Sequence, residues 1–178
     1  VHGLQEPEAD TIPGYVGGRF SRKHHILPGL IDHLWQAREQ AKTEHDQPRS
    51  QAIKILMNAF YGVMGSVGCR FFDPRLASGI TMRGHWIMQE SRIFIESHGY
   101  TVIYGDTDSI FVWLKNRVSA EKAQQMGQEL IHKINLWWKE KLLQEFQLES
   151  CLELQFERHY HRFLMSTLRG TELGSKKR

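Results

Sequence analysis

Residues 100–114 read Tyr-Thr-Val-Ile-Tyr-Gly-Asp-Thr-Asp-Ser-Ile-Phe-Val-Trp-Leu. Two apolar, β-prone runs, 100–105 and 110–114, flank a polar Asp-Thr-Asp-Ser stretch, a pattern that predicts a β-hairpin. On an extended backbone Asp106 and Asp108 share one face. Two neighbouring carboxylates suit a hard cation such as Mg2+, which also offsets their mutual repulsion. Because Asp and Ser also favour turns, this stretch alone fits a polar turn and a metal site equally well.

Four stretches with helical periodicity surround this hairpin. We predict helices over residues 21–43, 50–64, 76–98 and 119–146. Ser50 is the predicted N-cap of the second helix, and Gly99 follows the third. The last helix is predicted to bury one apolar face, made of Ala123, Met126, Leu130, Ile134, Trp138 and Leu142. Because only a short break joins the first two helices, we expect them to form an antiparallel hairpin.

The remaining segments predict a loop and further strands. Residues 1–18 are rich in Gly and Pro and are predicted to form a loop. Residues 151–157 alternate between apolar and polar side chains and predict a strand, with 159–167 as its antiparallel partner. The expected fold class is therefore α/β, of the α+β type, with a helical hairpin beside an antiparallel sheet backed by helices.

Composition narrows the class of protein. The 178 residues are 40% hydrophobic, which excludes a wholly disordered chain. No apolar stretch approaches the roughly 20 residues that span a bilayer, so we expect no membrane partner. Cys69 and Cys151 match no metal motif and indicate a reducing, cytoplasmic compartment. The net charge of +3 identifies no partner, and the basic last stretch is typical of a solvated tail or of a phosphate contact.

Polar side chains recur on the first two predicted helices. Lys54, Asn58 and Tyr61 lie at i, i+4 and i+7 and so share one face, opposite an apolar side that carries Ile53, Leu56, Met57 and Phe60. Arg38 and Lys42 are spaced i, i+4 on the preceding helix. Cations that face each other on two antiparallel helices would clamp an anion such as a triphosphate. Either set alone is more typical of a solvated surface.

Three motifs together, in this order, resemble a known family. Residues 54–62, Lys-Ile-Leu-Met-Asn-Ala-Phe-Tyr-Gly, resemble the fingers motif Lys-x3-Asn-x2-Tyr-Gly of family B DNA polymerases. Residues 104–109 resemble the palm motif Tyr-x-Asp-Thr-Asp-Ser of that family. Residues 176–178, Lys-Lys-Arg, resemble the beginning of its Lys-Lys-Arg-Tyr motif. Residues 71–83 and 163–178 are most similar to bacterial members of the family.

The resemblance implies a role for each matching residue. It implies template-directed DNA synthesis with two Mg2+ ions, primer-template DNA and deoxynucleoside triphosphates. Asp106 and Asp108 would bind metal, and Glu157 would be a third acid near the metals, with Gln155 standing where relatives often have Glu. The residues that would hold the nucleotide are Arg38, Lys42, Lys54 and Asn58, with Tyr61 beneath the nascent base pair. Those that would contact the primer-end duplex are Lys176, Lys177 and Arg178.

The resemblance also implies a domain organisation. Residues 1–18 would be a loop that follows a first palm motif, 19–66 the fingers helical hairpin, and 67–178 a partial palm without a thumb. The first palm motif, Asp-x2-Ser-Leu-Tyr-Pro-Ser, is expected before residue 1. We therefore expect the 178 residues alone to be inactive and the parent protein to be cytoplasmic and nucleoid-associated. A sliding clamp is an expected partner through other parts of the parent.

Three other interpretations of the sequence remain open. One is a non-catalytic nucleic-acid-binding module with a polymerase-like palm. Another is a different two-metal enzyme built on a palm, such as a nucleotide cyclase, against which the motif at residues 54–62 argues. The third is a zinc site at His24-His25 or at His159 and His161, although no Cys or His partners at zinc spacing accompany either pair.

Overall fold

The computed structural model describes residues 8–164. Within that range the helices are α1 (Leu27–Thr43), α2 (Gln47–Met64), α3 (Pro74–Ser97) and α4 (Ala120–Phe146), after a short 3-10 turn at Glu8–Asp10. The strands are β1 (Thr11–Pro13), β2 (Arg19–Ser21), β3 (Thr101–Asp106) and β4 (Ser109–Trp113). They form two separate two-stranded antiparallel sheets, β1–β2 and β3–β4. The predicted α/β class, with helices beside antiparallel strands, is confirmed.

The described chain divides into two compact units. The first contains residues 8–92 and 105–110, and the second contains residues 93–104 and 111–164. Helix α3 and the β3–β4 hairpin each contribute residues to both units. These limits are set by compactness alone, so the proposed segments 1–18, 19–66 and 67–178 stay a prediction.

Helices α1 and α2 pack against each other in the first unit as the predicted helical hairpin. A left-handed residue, His45 with φ of 58°, closes the turn between them. The backbone N–H of His45 donates to the carbonyl of Lys42 at 3.1 Å, and that of Asp46 donates to Ala41 at 2.8 Å. These two bonds satisfy carbonyls that the end of α1 leaves free, so the chain reverses tightly.

Both helix starts in this hairpin differ from the prediction. Helix α1 begins at Leu27 rather than at residue 21, because Ser21 ends β2 and its hydroxyl accepts the backbone N–H of His24 at 2.8 Å. Helix α2 begins at Gln47 rather than at Ser50, because Asp46 is the N-cap and accepts the N–H of Arg49 at 3.0 Å. Ser50 is therefore not a cap, and it lies buried inside the helix.

A small hairpin replaces part of the predicted N-terminal loop. Strand β1 pairs with β2, with Ile12 opposite Phe20, so the loop prediction is wrong for Thr11–Pro13. The ring of Phe20 lies so close to Gly79 of α3 that a Cβ on that glycine would be 3.4 Å away. Arg83 of α3 donates to the carbonyl of Pro13 at 3.0 Å. Contacts from α3 therefore hold this hairpin in the first unit.

Helix α4 forms the core of the second unit. The helix begins where it was predicted to, and Ser119 is its N-cap, since the Ser119 side chain accepts the backbone N–H of Lys122 at 3.2 Å. The predicted apolar face is also buried, with Ala123, Ile134 and Trp138 the most enclosed of its residues. The end of α3 packs on this helix through Phe94, whose ring centroid is 4.9 Å from that of Trp137.

The strand predicted over residues 151–157 is not formed, and neither is a partner strand within the described residues 159–164. The alternation itself is correct, since Leu152, Leu154 and Phe156 are half-buried while the residues between them are exposed. In place of a strand, the side chain of Asn135 on α4 takes both backbone hydrogen bonds of Leu154, each at 2.9 Å. No helix within residues 8–164 is long and apolar enough to cross a membrane.

Candidate active site

The two predicted metal ligands lie at the tip of the β3–β4 hairpin. Strand β3 ends at Asp106, β4 begins at Ser109, and Thr107 and Asp108 form the two-residue turn between them. Thr107 has a positive φ of 26°, so the backbone is not extended through the tip. The two carboxylates were predicted to share one face of an extended strand, and this is wrong because the chain turns between them. It is the turn that places both side chains in the exposed tip.

Hydrogen bonds from neighbouring hydroxyl groups orient these carboxylates. The Thr107 hydroxyl donates to Oδ1 of Asp106 at 3.2 Å, and the Ser109 hydroxyl donates to Oδ1 of Asp108 at 3.3 Å. Hard oxygen donors of this kind fit Mg2+. Among residues 8–164, no group of three or more His, Cys, Asp or Glu side chains is arranged to hold a metal ion. The described residues thus offer two carboxylates, and Mg2+ would take its other ligands from water, substrate or other residues.

Helix α2 presents the predicted polar face to solvent. Lys54, Asn58 and Tyr61 are exposed, and the half-buried side of the helix carries Ile53, Met57 and Phe60. Leu56 was predicted to lie on the apolar side of the helix, but half of its surface remains exposed. The 3.6-residue period thus identifies the polar face correctly, and it overestimates the width of the packed one.

Tyr61 makes a contact that the sequence did not predict. Its hydroxyl lies 2.5 Å from Oγ1 of Thr81 on α3, and the Thr81 hydroxyl donates to the carbonyl of Ala77 at 3.1 Å. Because Thr81 uses its proton on that carbonyl, Tyr61 is the donor to Thr81. The two residues are 20 positions apart on different helices, so no local periodicity links them.

The two cations of α1 differ in their surroundings. Arg38 is half-buried, its guanidinium lies 5.8 Å from the centroid of the Trp35 ring, and its Nε is enclosed without a hydrogen-bond partner among residues 8–164. Lys42 is exposed and forms an ion pair with Glu39 at 2.5 Å. An exposed pair of this kind contributes little stability and opens readily to another anion.

The third predicted acid is carried by the second unit. Glu157 is exposed and follows directly after Phe156, whose ring packs against Gly127 of α4. Gln155, Glu153 and Asn135 line a shallow cavity of about 280 Å³ beside α4. The predicted DNA contacts Lys176, Lys177 and Arg178 lie outside the described residues.

The sequence profile of DNA polymerase family B matches residues 16–169. The chain belongs to this family. It is 52% identical over its whole length to DNA polymerase II of Escherichia coli (strain K12), of which it covers 23%. This identity confirms the predicted similarity to a bacterial member of the family.

More distant relatives extend across the domains of life. The chain is 28% identical to DNA polymerase 1 of Pyrococcus abyssi (strain GE5 / Orsay) over 87% of the chain and 20% of that protein. It is 26% identical to the DNA polymerase alpha catalytic subunit of Drosophila melanogaster over 88% of the chain and 11% of that protein. The chain therefore spans less than a quarter of the length of these relatives.

Proposed function

We propose that this chain supplies the fingers and part of the palm of a template-directed DNA polymerase that adds deoxynucleotides to a primer 3′-end. In this proposal, residues 19–66 are the fingers and 67–178 belong to the palm. The observation that carries the proposal is the exposed face of α2, where Lys54, Asn58 and Tyr61 lie opposite a packed side in a chain of this family. A cation, an amide and a phenol on one face suit a nucleotide.

The helical hairpin binds the incoming nucleotide in this proposal. Lys54 and Asn58 of α2, with Arg38 and Lys42 of α1, hold the triphosphate. Their positive charges offset the charge that develops on the phosphates during transfer, which is mainly an electrostatic and positioning task. Tyr61 lies beneath the nascent base pair, and its hydrogen bond to Thr81 supports this role because it restricts the ring.

The β3–β4 tip holds the metal ions in this proposal. Asp106 and Asp108 are the ligands that the described residues offer to two Mg2+ ions, and Glu157 is a third acid near them. When bound, the ions lower the pKa of the primer 3′-hydroxyl and stabilise the pyrophosphate leaving group. The chain itself contributes oriented carboxylates, since the hydroxyl groups of Thr107 and Ser109 each donate a hydrogen bond to the neighbouring Asp.

The proposed partners are primer-template DNA and deoxynucleoside triphosphates. Lys176, Lys177 and Arg178 would contact the phosphates of the primer-end duplex, so binding should weaken with salt and show no sequence preference. A sliding clamp would bind through other parts of the parent protein. The parent would be cytoplasmic and associated with the nucleoid.

Primer extension by the complete protein tests this function. Wild-type protein with Mg2+ and all four deoxynucleotides should extend a primer on its template, and Asp108→Ala should abolish extension. The matched control is Asp32→Ala, because Asp32 is an exposed carboxylate on α1 with no proposed role. A wild-type protein that binds DNA without extending the primer would instead support the nucleic-acid-binding module.

A further inference from the structure

Among the residues that the structure describes, the segment that carries Glu157 is held by α4 and not by a strand. Asn135 lies midway along α4, and its side chain is half-buried. Its amide Nδ2 donates to the carbonyl of Leu154 at 2.9 Å, and its Oδ1 accepts the N–H of Leu154 at 2.9 Å. One side chain thus satisfies both backbone groups of Leu154, as an adjacent strand would.

A close contact between Gly127 of α4 and the Phe156 ring holds the same segment at a second point. A Cβ added to Gly127 would overlap the ring of Phe156, so the ring would have to shift to make room for it. Glycine inside a helix costs about 1 kcal/mol relative to alanine, so its presence at this position needs a packing reason. The aromatic ring of Phe156 occupies the space that a larger residue would fill, and Glu157 is the next residue.

Beyond Glu157 the segment is held again, this time by rings of the β3–β4 hairpin. The Phe163 ring centroid is 4.9 Å from that of Phe111 on β4 and 5.8 Å from that of Tyr104 on β3. Tyr160 also packs on Phe111, at 6.2 Å. Glu157 therefore lies between two anchored stretches of chain, one on α4 and one on the hairpin.

We propose that Asn135 is a positioning residue for Glu157. It acts through its hydrogen bonds to the backbone of Leu154, together with the packing of Phe156 on α4. The inference rests on the proposed function, in which Glu157 acts near the metal ions. A carboxylate that serves a metal site must be held to within about half an ångström. Within residues 8–164 no strand pairs with the segment, so Asn135 supplies the directional backbone bonds that a sheet would otherwise provide.

The test compares Asn135→Leu, Glu157→Gln and the double variant in the complete polymerase. Single-turnover primer extension is measured at saturating nucleotide over a range of Mg2+ concentrations. Loss of a group that orients a metal-site residue costs about ten- to a hundredfold in activity or metal affinity. Asn135→Leu should therefore slow extension and raise the Mg2+ requirement, and it should have no further effect in the Glu157→Gln background.

The matched control is Gln125→Leu, which removes an amide from the exposed side of α4. That amide bonds to two neighbours on the exposed side of α4, accepting from Lys122 at 3.4 Å and donating to Glu129 at 3.0 Å, so extension should be unchanged. If Asn135→Leu does not fold, Asn135→Asp retains the acceptor for the Leu154 N–H and should give a smaller loss with the same lack of additivity.

Three outcomes would overturn the positioning role of Asn135 while the polymerase function stands. The first is an Asn135→Leu rate equal to wild type. The second is a pair of defects that multiply in the double variant, as expected if Asn135 only stabilised the fold. The third is a full rate for Glu157→Gln beside an inactive Asp108→Ala. Wild-type protein that does not extend a primer would reject the inference and the proposed function together.

Discussion

The hydroxyl of Tyr61 links the exposed face of α2 to α3. It donates to Thr81, which itself donates to the carbonyl of Ala77, so the phenol is held by a chain of two hydrogen bonds. Lys54 and Asn58 make no comparable contact among the described residues. The structure thus restricts Tyr61 and leaves the other two side chains of the face free to meet a ligand.

Removing the phenol hydroxyl should weaken use of a correctly paired nucleotide. A single hydrogen bond of this kind is worth about 0.5–1.5 kcal/mol, so Tyr61→Phe should cost about two- to tenfold in single-turnover efficiency. Thr81→Val should cost a similar factor, and the double variant should cost no more than either. Tyr15→Phe is the control, since the Tyr15 ring packs on Arg83 and its hydroxyl makes no hydrogen bond within residues 8–164. Two independent, multiplying defects would show that the hydrogen bond does not matter.

For single side chains, the sequence predicts which polar residues are exposed better than it predicts the contacts that they make. The i, i+4, i+7 spacing identified the exposed face of Lys54, Asn58 and Tyr61 correctly. It could not predict Thr81, because contacts between helices depend on how the helices pack and not on local spacing. It also placed Asp106 and Asp108 at a hairpin tip correctly, although the turn at Thr107 and not a shared strand face exposes them.

Helix α4 shows both what periodicity predicts and what it misses. Its start at Ser119 and its buried face were predicted, because both depend on residues close together in sequence. The strand over residues 151–157 was not formed, although its apolar side chains alternate in burial as predicted. Alternation indicates which side chains point inward, but strand formation needs a partner, and here Asn135 bonds to the backbone instead.

The contact between Gly127 and Phe156 gives a prediction for this element. Gly→Ala inside a helix normally stabilises by about 1 kcal/mol. Gly127→Ala should instead destabilise by about 1–3 kcal/mol, because its Cβ would overlap the Phe156 ring. The urea midpoint of unfolding measures the change.

A matched substitution separates the clash from helix propensity. Gly84 lies inside α3, and a Cβ there would meet nothing within 4 Å, so Gly84→Ala should not destabilise. Phe156→Leu should restore part of the stability of Gly127→Ala, because the smaller side chain makes room for the methyl group. Equal midpoints for Gly127→Ala and Gly84→Ala would contradict the packing described here.

The chain belongs to a family whose members are far longer than its 178 residues. It covers 23% of E. coli DNA polymerase II. The 178 residues contain no Asp-x2-Ser-Leu-Tyr-Pro-Ser motif, and residues 8–164 contain no group of three or more His, Cys, Asp or Glu side chains arranged to hold a metal ion. In the proposed polymerase, the metal ions would take further ligands from outside this hairpin tip.

The 178-residue polypeptide alone should consequently be inactive. Primer extension with Mg2+ and four deoxynucleotides should give no product above its own Asp108→Ala variant, because two-metal transfer needs further ligands. Its binding to primer-template DNA should be weak, sensitive to salt and indifferent to sequence, since phosphate contacts would dominate. Extension well above the variant would contradict the predicted inactivity of the polypeptide. Salt-insensitive binding to one sequence would contradict the predicted mode of DNA binding.

In the proposed polymerase, the α2 face holds the nucleotide while the hairpin tip serves the chemical step. Single-turnover primer extension by the complete polymerase, at varied nucleotide, tests it with Asp108→Ala and Lys54→Ala side by side. Lys139→Ala, an exposed lysine of α4, is the control. Asp108→Ala should lower the maximal rate by at least about a hundredfold at any nucleotide concentration. Lys54→Ala should mainly raise the nucleotide concentration that gives half the maximal rate. A near-normal maximal rate for Asp108→Ala would show that the hairpin tip does not serve the chemical step.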